Sequence, residues 1–208
     1  MKNIRHIIFD LGGVILNIDY LKTEEAFIRL GLTDFAQHYS QMQQSRFFDD
    51  WETGKINREE FLSGLKSYFP PETSSHSIID AWNAMLQDIP LRRLQLLQQL
   101  QLHYNLFLLS NTNTIHEEAF NKMLKAQCGF SSFGVFFDKV YYSHYVGLRK
   151  PDKALFNLVL TENRLAPEHT LFIDDSPQHI EAAKAMGLRT IWLQKGMTIE
   201  DDIFKPKK

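Results

Sequence analysis

Arg5-His6-Ile7-Ile8-Phe9-Asp10-Leu11-Gly12-Gly13 is the stretch that decides the fold of this 208-residue chain. Its apolar run is too short for an ordinary helix and reads as a buried strand, Arg5–Phe9. The run ends on a carboxylate, Asp10, followed by a flexible glycine turn. Four further segments have the same character: Asn105–Leu109, Lys139–Tyr142, Thr170–Ile173 and Thr190–Leu193. Between the later strands the apolar spacing changes to three and four. Ile115, Ala119, Phe120, Met123 and Leu124 form one such face, and Leu155, Leu158 and Val159 follow Pro151. A third helix opens at Ser176–Pro177, where the hydroxyl is expected to cap and Pro suits the first helical turn, and closes at Gly187. Strands alternating with helices predict an α/β fold with a doubly wound parallel sheet, which binds ligands at the carboxyl ends of its strands.

The first strand breaks that rhythm. Residues 17–90 read as almost wholly helical. Tyr20–Leu30 is one candidate helix, and Phe61, Leu62, Leu65, Tyr68 and Phe69 follow Asn57 and Glu60, which are spaced as a capping box. Ile78, Ile79, Trp82 and Leu86 form a last run ending at Pro90, after a polar loop over 70–77. The predicted organisation is a Rossmann-like core of residues 1–16 and 91–208, with an all-helical cap domain, 17–90, inserted after the first strand. Trp82 is expected in the core of the cap, and Trp51-Glu52-Thr53-Gly54-Lys55 in a turn between its helices.

Composition narrows the class. Apolar residues make up 44% and charged residues 23%, as in ordinary globular domains. With 23 basic and 25 acidic residues the net charge is −2, so no nucleic-acid or membrane partner is expected, and the Lys205–Lys208 segment reads as a solvated tail. One cysteine, Cys128, cannot form an internal disulfide and points to a reducing compartment. Asp10 interrupts any signal-peptide core, and no apolar run spans a bilayer, so a cytoplasmic location is expected. Oligomeric state is not encoded in any pattern found.

The predicted strand ends gather chemistry on one rim: Asp10, then Ser110-Asn111-Thr112-Asn113, then Lys150 before the helix opened by Pro151, then Asp174 and Asp175. Paired carboxylates suit a hard cation such as Mg²⁺. A carboxylate can also attack phosphorus and form an aspartyl-phosphate, provided a metal and an ammonium offset its charge.

Phe9-Asp10-Leu11-Gly12-Gly13-Val14, Leu109-Ser110-Asn111-Thr112, Arg149-Lys150-Pro151 and Phe172-Ile173-Asp174-Asp175 occur in that order. Together they resemble the haloacid dehalogenase-like hydrolase superfamily. Within it the chain is similar to helical-cap phosphatases, some of them sugar-phosphate phosphatases, that carry Asp-Leu-Gly-Asn-Val at the first motif. The resemblance implies Asp10 as nucleophile and Mg²⁺ ligand, with Ser110 and Asn111 on the phosphoryl group and Lys150 bridging it to the nucleophile. It implies the Gly12 carbonyl and Asp175 as further metal ligands, with Asp174 as a neighbour or second ligand. The expected activity is hydrolysis of a small phosphorylated metabolite, with a sugar phosphate as one form.

One position departs from the pattern. Phosphatases of this family commonly carry a second Asp, the acid for the leaving group, where this chain has Gly12. Asp19 is the nearest alternative acid, though an ordinary start-of-helix carboxylate is the expectation. His116 and His179 read as solvated helix positions, His144 as a loop residue, and none is assigned chemistry. Two rival readings remain: a metal-free 2-haloacid hydrolase, and a binding or regulatory protein on a catalytically decayed scaffold.

Overall fold

The computed structural model describes residues 3–32 and 46–205. Residues 33–45 of the predicted cap and 206–208 of the basic tail lie outside the described residues. Five strands form one parallel sheet: β1 (His6–Phe9), β2 (Asn105–Ser110), β3 (Lys139–Tyr142), β4 (Thr170–Asp174) and β5 (Arg189–Trp192). Their order is β3-β2-β1-β4-β5, so β1 is central, with Phe9 level with Leu108 on one side and Ile173 on the other. All five predicted strands are present, with ends displaced by at most one residue.

Side chains alternate across this sheet. Ile7, Phe9, Leu106, Leu108 and Ile173 face one layer, packed by α5 (Leu91–Leu100) and α6 (Thr114–Cys128). Ile8, Phe107, Leu109 and Phe172 face the other, under α8 (Lys153–Glu162) and α9 (Pro177–Ala185). Because both faces are covered, Ile7, Ile8 and Phe9 are all fully buried, which is why the strand is a continuous apolar run instead of an alternating one.

Between β1 and α5 lie α1 (Tyr20–Arg29), α2 (Arg46–Glu52), α3 (Arg58–Lys66) and α4 (Ser75–Asn83). Phe27, Phe48, Trp51, Phe61, Leu65 and Trp82 form their own apolar cluster, in which the Trp51 and Phe61 rings stack at 4.5 Å. The chain enters and leaves this region through two adjacent segments. Asn17 N–H donates to Asp88, Gln87 N–H to Asn17 and Asp19 N–H to Met85, and Ile18 bridges Leu86 in antiparallel fashion.

That pairing explains a difference from the sequence reading. The run predicted to continue to Pro90 stops at Asn83, because residues 85–88 are drawn into extended pairing with 17–19. At the other end α4 begins at Ser75, inside the stretch read as loop. The Ser74 hydroxyl accepts the Ser77 N–H there and caps it. The capping box at α3 is formed as predicted, with Asn57 Oδ1 accepting from Glu60 N–H and Glu60 accepting from Asn57 N–H. Among the described residues no helix is long and apolar enough to cross a membrane.

Candidate active site

Parallel packing sets the ends of β1, β2 and β4 side by side, and their terminal polar residues therefore converge. Asp10 follows β1, and its N–H donates to Ile173 O at 2.9 Å. One carboxylate oxygen, Oδ1, accepts from Leu11 N–H at 2.7 Å and meets Lys150 Nζ at 2.8 Å. Oδ2 has no partner among the described residues. Lys150 is completely buried, and its ammonium also donates to Asp174 Oδ2 at 2.7 Å.

Asn111 explains how the loop carrying Lys150 is fixed. Its side-chain amide donates to Lys150 O at 2.9 Å and accepts from Lys150 N–H at 2.8 Å. Both ends of that amide are thus engaged on the Lys150 backbone. Ser110, at the last position of β2, lines the same cavity as Asp10.

The acidic pair divides its work. Asp174 is fully buried, and its oxygens receive Lys150 Nζ, the Ser176 N–H at 2.7 Å and His179 Nδ1 at 3.0 Å. Asp175 instead lines the cavity, with its backbone carbonyl accepting from Trp192 Nε1 at 3.0 Å. Gly13 lets it approach: with φ +72°, a Cβ there would lie 2.3 Å from Asp175 Oδ2. The Ser176 hydroxyl makes no cap bond, contrary to expectation; it is the Ser176 backbone N–H that is engaged, donating to Asp174 Oδ1.

Electrostatics follow from burial. Two carboxylates, Asp10 and Asp174, pair with one buried ammonium, and Asp175 is near enough for its charge to act on Asp10. Burial pushes the Asp10 carboxyl well above its usual range, Lys150 opposes this, and Asp174 and Asp175 push it further up. Asp174 goes the other way: burial disfavours its charge, but Lys150 and His179 together hold it below the usual carboxylate range. Lys150 is raised, because the two carboxylates outweigh its desolvation. Asp10, Asp174 and His179 offer ligand atoms within 4.8 Å of one another. The Lys150 ammonium already joins the first two, so the surplus negative charge is on the Asp10, Gly12 and Asp175 side.

Three groups in the cavity wall were not assigned chemistry from the sequence. Arg149, adjacent to Lys150, pairs with Asp49 and, at 3.1 Å, with Glu52, so β3's following loop is tied to α2. Glu52 is buried, at the carboxyl end of α2 within the turn region singled out above. Tyr20, the first residue of α1, lines the cavity. Burial of its hydroxyl, then the charges of Asp175, Glu52, Asp10 and Asp174, raise its pKa well above the ordinary phenol value. Asp19 accepts the Leu21 N–H at 3.1 Å as the cap of α1 and does not line this cavity, so the start-of-helix reading stands.

The histidines are corrections. His116 is buried, stacked on Trp82 at 4.9 Å, with Nε2 donating to Trp82 O at 3.1 Å and Nδ1 accepting from Asn113 Nδ2 at 3.2 Å. His179 is buried against Asp174, and His144, in the short helix α7 (Ser143–Val146), faces Glu117 at 3.0 Å. Helical spacing places His116 and His179 on helices but does not say which neighbour covers them, and His144, read as a loop residue, lies in a single helical turn too short to show any periodicity.

The family profile of haloacid dehalogenase-like hydrolases matches residues 4–187. The chain belongs to this family of hydrolases. It is similar to a D-ribitol-5-phosphate phosphatase from Bacteroides thetaiotaomicron, 32% identical over 199 residues and covering 93% of each chain. A crystal structure of a family enzyme from the same organism, an alanine variant in complex with magnesium and inorganic phosphate, superposes with a TM-score of 0.88. It is 32% identical, over 96% of this chain and 97% of that one. A family hydrolase from Porphyromonas gingivalis superposes at 0.85 with 31% identity, over 97% and 95% of the two chains.

Proposed function

We propose that this protein is a Mg²⁺-dependent phosphomonoesterase that transfers the phosphoryl group of a small sugar or polyol phosphate to Asp10 and then to water. The observation that carries this reading is the geometry of Asp10: one oxygen is pinned by the Lys150 ammonium at 2.8 Å, and the other has no partner among the described residues. The similarity to a ribitol-phosphate phosphatase supports the substrate class.

The donor set fits a divalent ion. Hard oxygen ligands are what Mg²⁺ selects, and three carboxylates against one ammonium leave negative charge to neutralise. Asp10, the Gly12 carbonyl and Asp175 would hold it, while Asp174 sets the Lys150 ammonium. When bound, Mg²⁺ supplies the positive charge that lets a phosphate dianion approach carboxylates.

The chain's own residues do the rest. Lys150 orients Asp10 and attracts the transferring oxygens, and Ser110 with the Asn111 N–H donates to them. Asp10 attacks phosphorus, and water then cleaves the aspartyl-phosphate. We read residues 17–90 as a cap, with residues 1–16 and 91–208 as the core. Its helices exclude bulk water and present Tyr20 and Glu52 to the leaving group. A metal-free 2-haloacid hydrolase would have to keep Asp10 ionised with no cation to offset its burial and the charges of Asp174 and Asp175.

Phosphate release from ribitol 5-phosphate and from p-nitrophenyl phosphate, with Mg²⁺ and with EDTA, tests the reading. Asp10→Asn is expected to lose more than about 99% of activity, as removal of a covalent nucleophile does. Activity insensitive to EDTA, or a variant keeping more than a few per cent, would sink it.

A further inference from the structure

The peptide unit that joins Asp175 to Ser176 is held at both of its polar ends. Its N–H donates to Asp174 Oδ1 at 2.7 Å, and its carbonyl accepts from Trp192 Nε1 at 3.0 Å. A peptide unit is planar, so these two bonds fix its orientation and, with it, the direction from which the Asp175 Cα carries its side chain. The inner bond comes from Asp174, itself anchored by Lys150 and His179. The outer bond comes from an indole on the edge strand.

Trp192 closes β5, level with Asp174, and just beyond it the Leu193 N–H donates to Asp174 O at 2.9 Å. The strand backbone thus serves Asp174, while the indole reaches one residue further along the turn. Trp192 is 44% exposed, whereas Trp51 and Trp82 are buried in the helical insert. Another apolar ring would cover the same sheet edge; the indole adds a single N–H donor, and that donor meets Asp175. On the side-chain end, Asp175 Oδ2 lies against Gly13, where an added Cβ would come within 2.3 Å. The carboxylate is therefore bounded by Gly13 and carried by a peptide that Trp192 holds.

We propose that Trp192 is a positioning residue for the metal site: its indole N–H holds the Asp175 peptide so that the carboxylate stands ready for Mg²⁺ beside Asp10 and the Gly12 carbonyl. This rests on the phosphatase reading above, in which Asp175 is a metal ligand. Trp192 is not in the wall of the cavity that holds Asp10, so it acts through Asp175. Its effect falls on metal affinity and leaves Asp10, Lys150 and Ser110 in place.

Calorimetric Mg²⁺ titration of wild type, Trp192→Phe and Asp175→Asn, without substrate, tests this. Trp192→Phe keeps an aromatic ring at the edge and removes the donor. It is expected to raise the Mg²⁺ dissociation constant by about 10-fold or more, as loss of groups that orient metal ligands does. At saturating Mg²⁺ its kcat for p-nitrophenyl phosphate is expected to fall by less than about 2-fold, the pattern of a lost binding interaction, which also shows that the variant is folded. A merely structural role gives the reverse, a lower kcat with unchanged Mg²⁺ affinity, and that result overturns the assignment. If Trp192→Phe does not fold, the wild type decides: the Trp192 indole N–H NMR resonance is expected to shift on saturation with Mg²⁺, and an unmoved resonance overturns the proposal. Weakened Mg²⁺ binding in Asp175→Asn with wild-type binding in Trp192→Phe removes only this inference. Undiminished binding in Asp175→Asn removes Asp175 as a ligand, and the inference with it. A wild type that neither binds Mg²⁺ nor hydrolyses either ester removes the phosphatase reading itself.

Discussion

Gly13 and His116 show how single residues set the site. At Gly13 the positive φ and the 2.3 Å approach of Asp175 Oδ2 to an added Cβ exclude any side chain. Gly13→Ala is therefore expected to displace Asp175 and raise the Mg²⁺ concentration for half-maximal phosphate release by at least about tenfold, a modest loss for one displaced ligand carboxylate. A metal titration of the variant that overlays the wild type would contradict the assignment of Asp175. His116 tests burial instead. Its pKa falls from 6.5 to about 4, mainly by burial, with the Trp82 carbonyl opposing. The Nε2–H tautomer satisfies both neighbours, and a proton on Nδ1 would face the Asn113 amide donor. Between pH 6.5 and 4 the unfolded chain binds the extra proton, so stability from this residue is complete above 6.5 and lost as pH falls toward 4. The span amounts to about 3 kcal/mol. Urea melts of wild type and His116→Gln across pH 4.5–8 should converge on acidification; parallel curves would refute it.

At the scale of elements, local chemistry and packing each account for distinct features. The α3 capping box is wholly local: Asn57 and Glu60 satisfy each other's backbone N–H groups. Asn57→Ala is expected to cost about 1 kcal/mol in a thermal or urea melt, with phosphate release unchanged per folded molecule. The strands were legible because each is a short apolar run bounded by polar residues. The strand-end carboxylates were legible because Asp10 and Asp174 directly follow or close such runs. The ends of α4 were not, since Leu86 has the right spacing for a helix but is held extended against Ile18, 68 residues earlier in the sequence. Nor does periodicity record the turn into α9, where the Ser176 hydroxyl makes no cap bond and the Ser176 N–H instead donates to Asp174, a carboxylate anchored by Lys150 and His179.

Across the whole molecule, the helical insert is tied to the sheet domain at the active-site mouth. Arg149 beside Lys150 pairs with Asp49 and Glu52 of α2, and the turn after α2 lies directly on the core. At Gly54, φ +68°, a Cβ would sit 2.3 Å from the His144 carbonyl oxygen, an atom of backbone that cannot swing aside. Gly54→Ala is thus expected to destabilise by about 1–3 kcal/mol through overpacking, and to weaken the Glu52–Arg149 contact. Denaturation together with KM for ribitol 5-phosphate measures both, and a variant as stable as wild type would show that the turn does not dock there in solution.

The sequence by itself determined the α/β class, the five strands, the helical character of the insert and the four motifs on one rim. These depend on periodicity and on residue types at strand ends, which are local in the chain. Only the tertiary structure decided that Asp174 serves Lys150 while Asp175 faces the cavity, and that Asn111 clasps a backbone. Only it brought Tyr20, Glu52 and Arg149 to the same wall. Such roles depend on which neighbour occupies each oxygen or nitrogen. Packing of distant segments sets those neighbours, and no spacing along the chain records them.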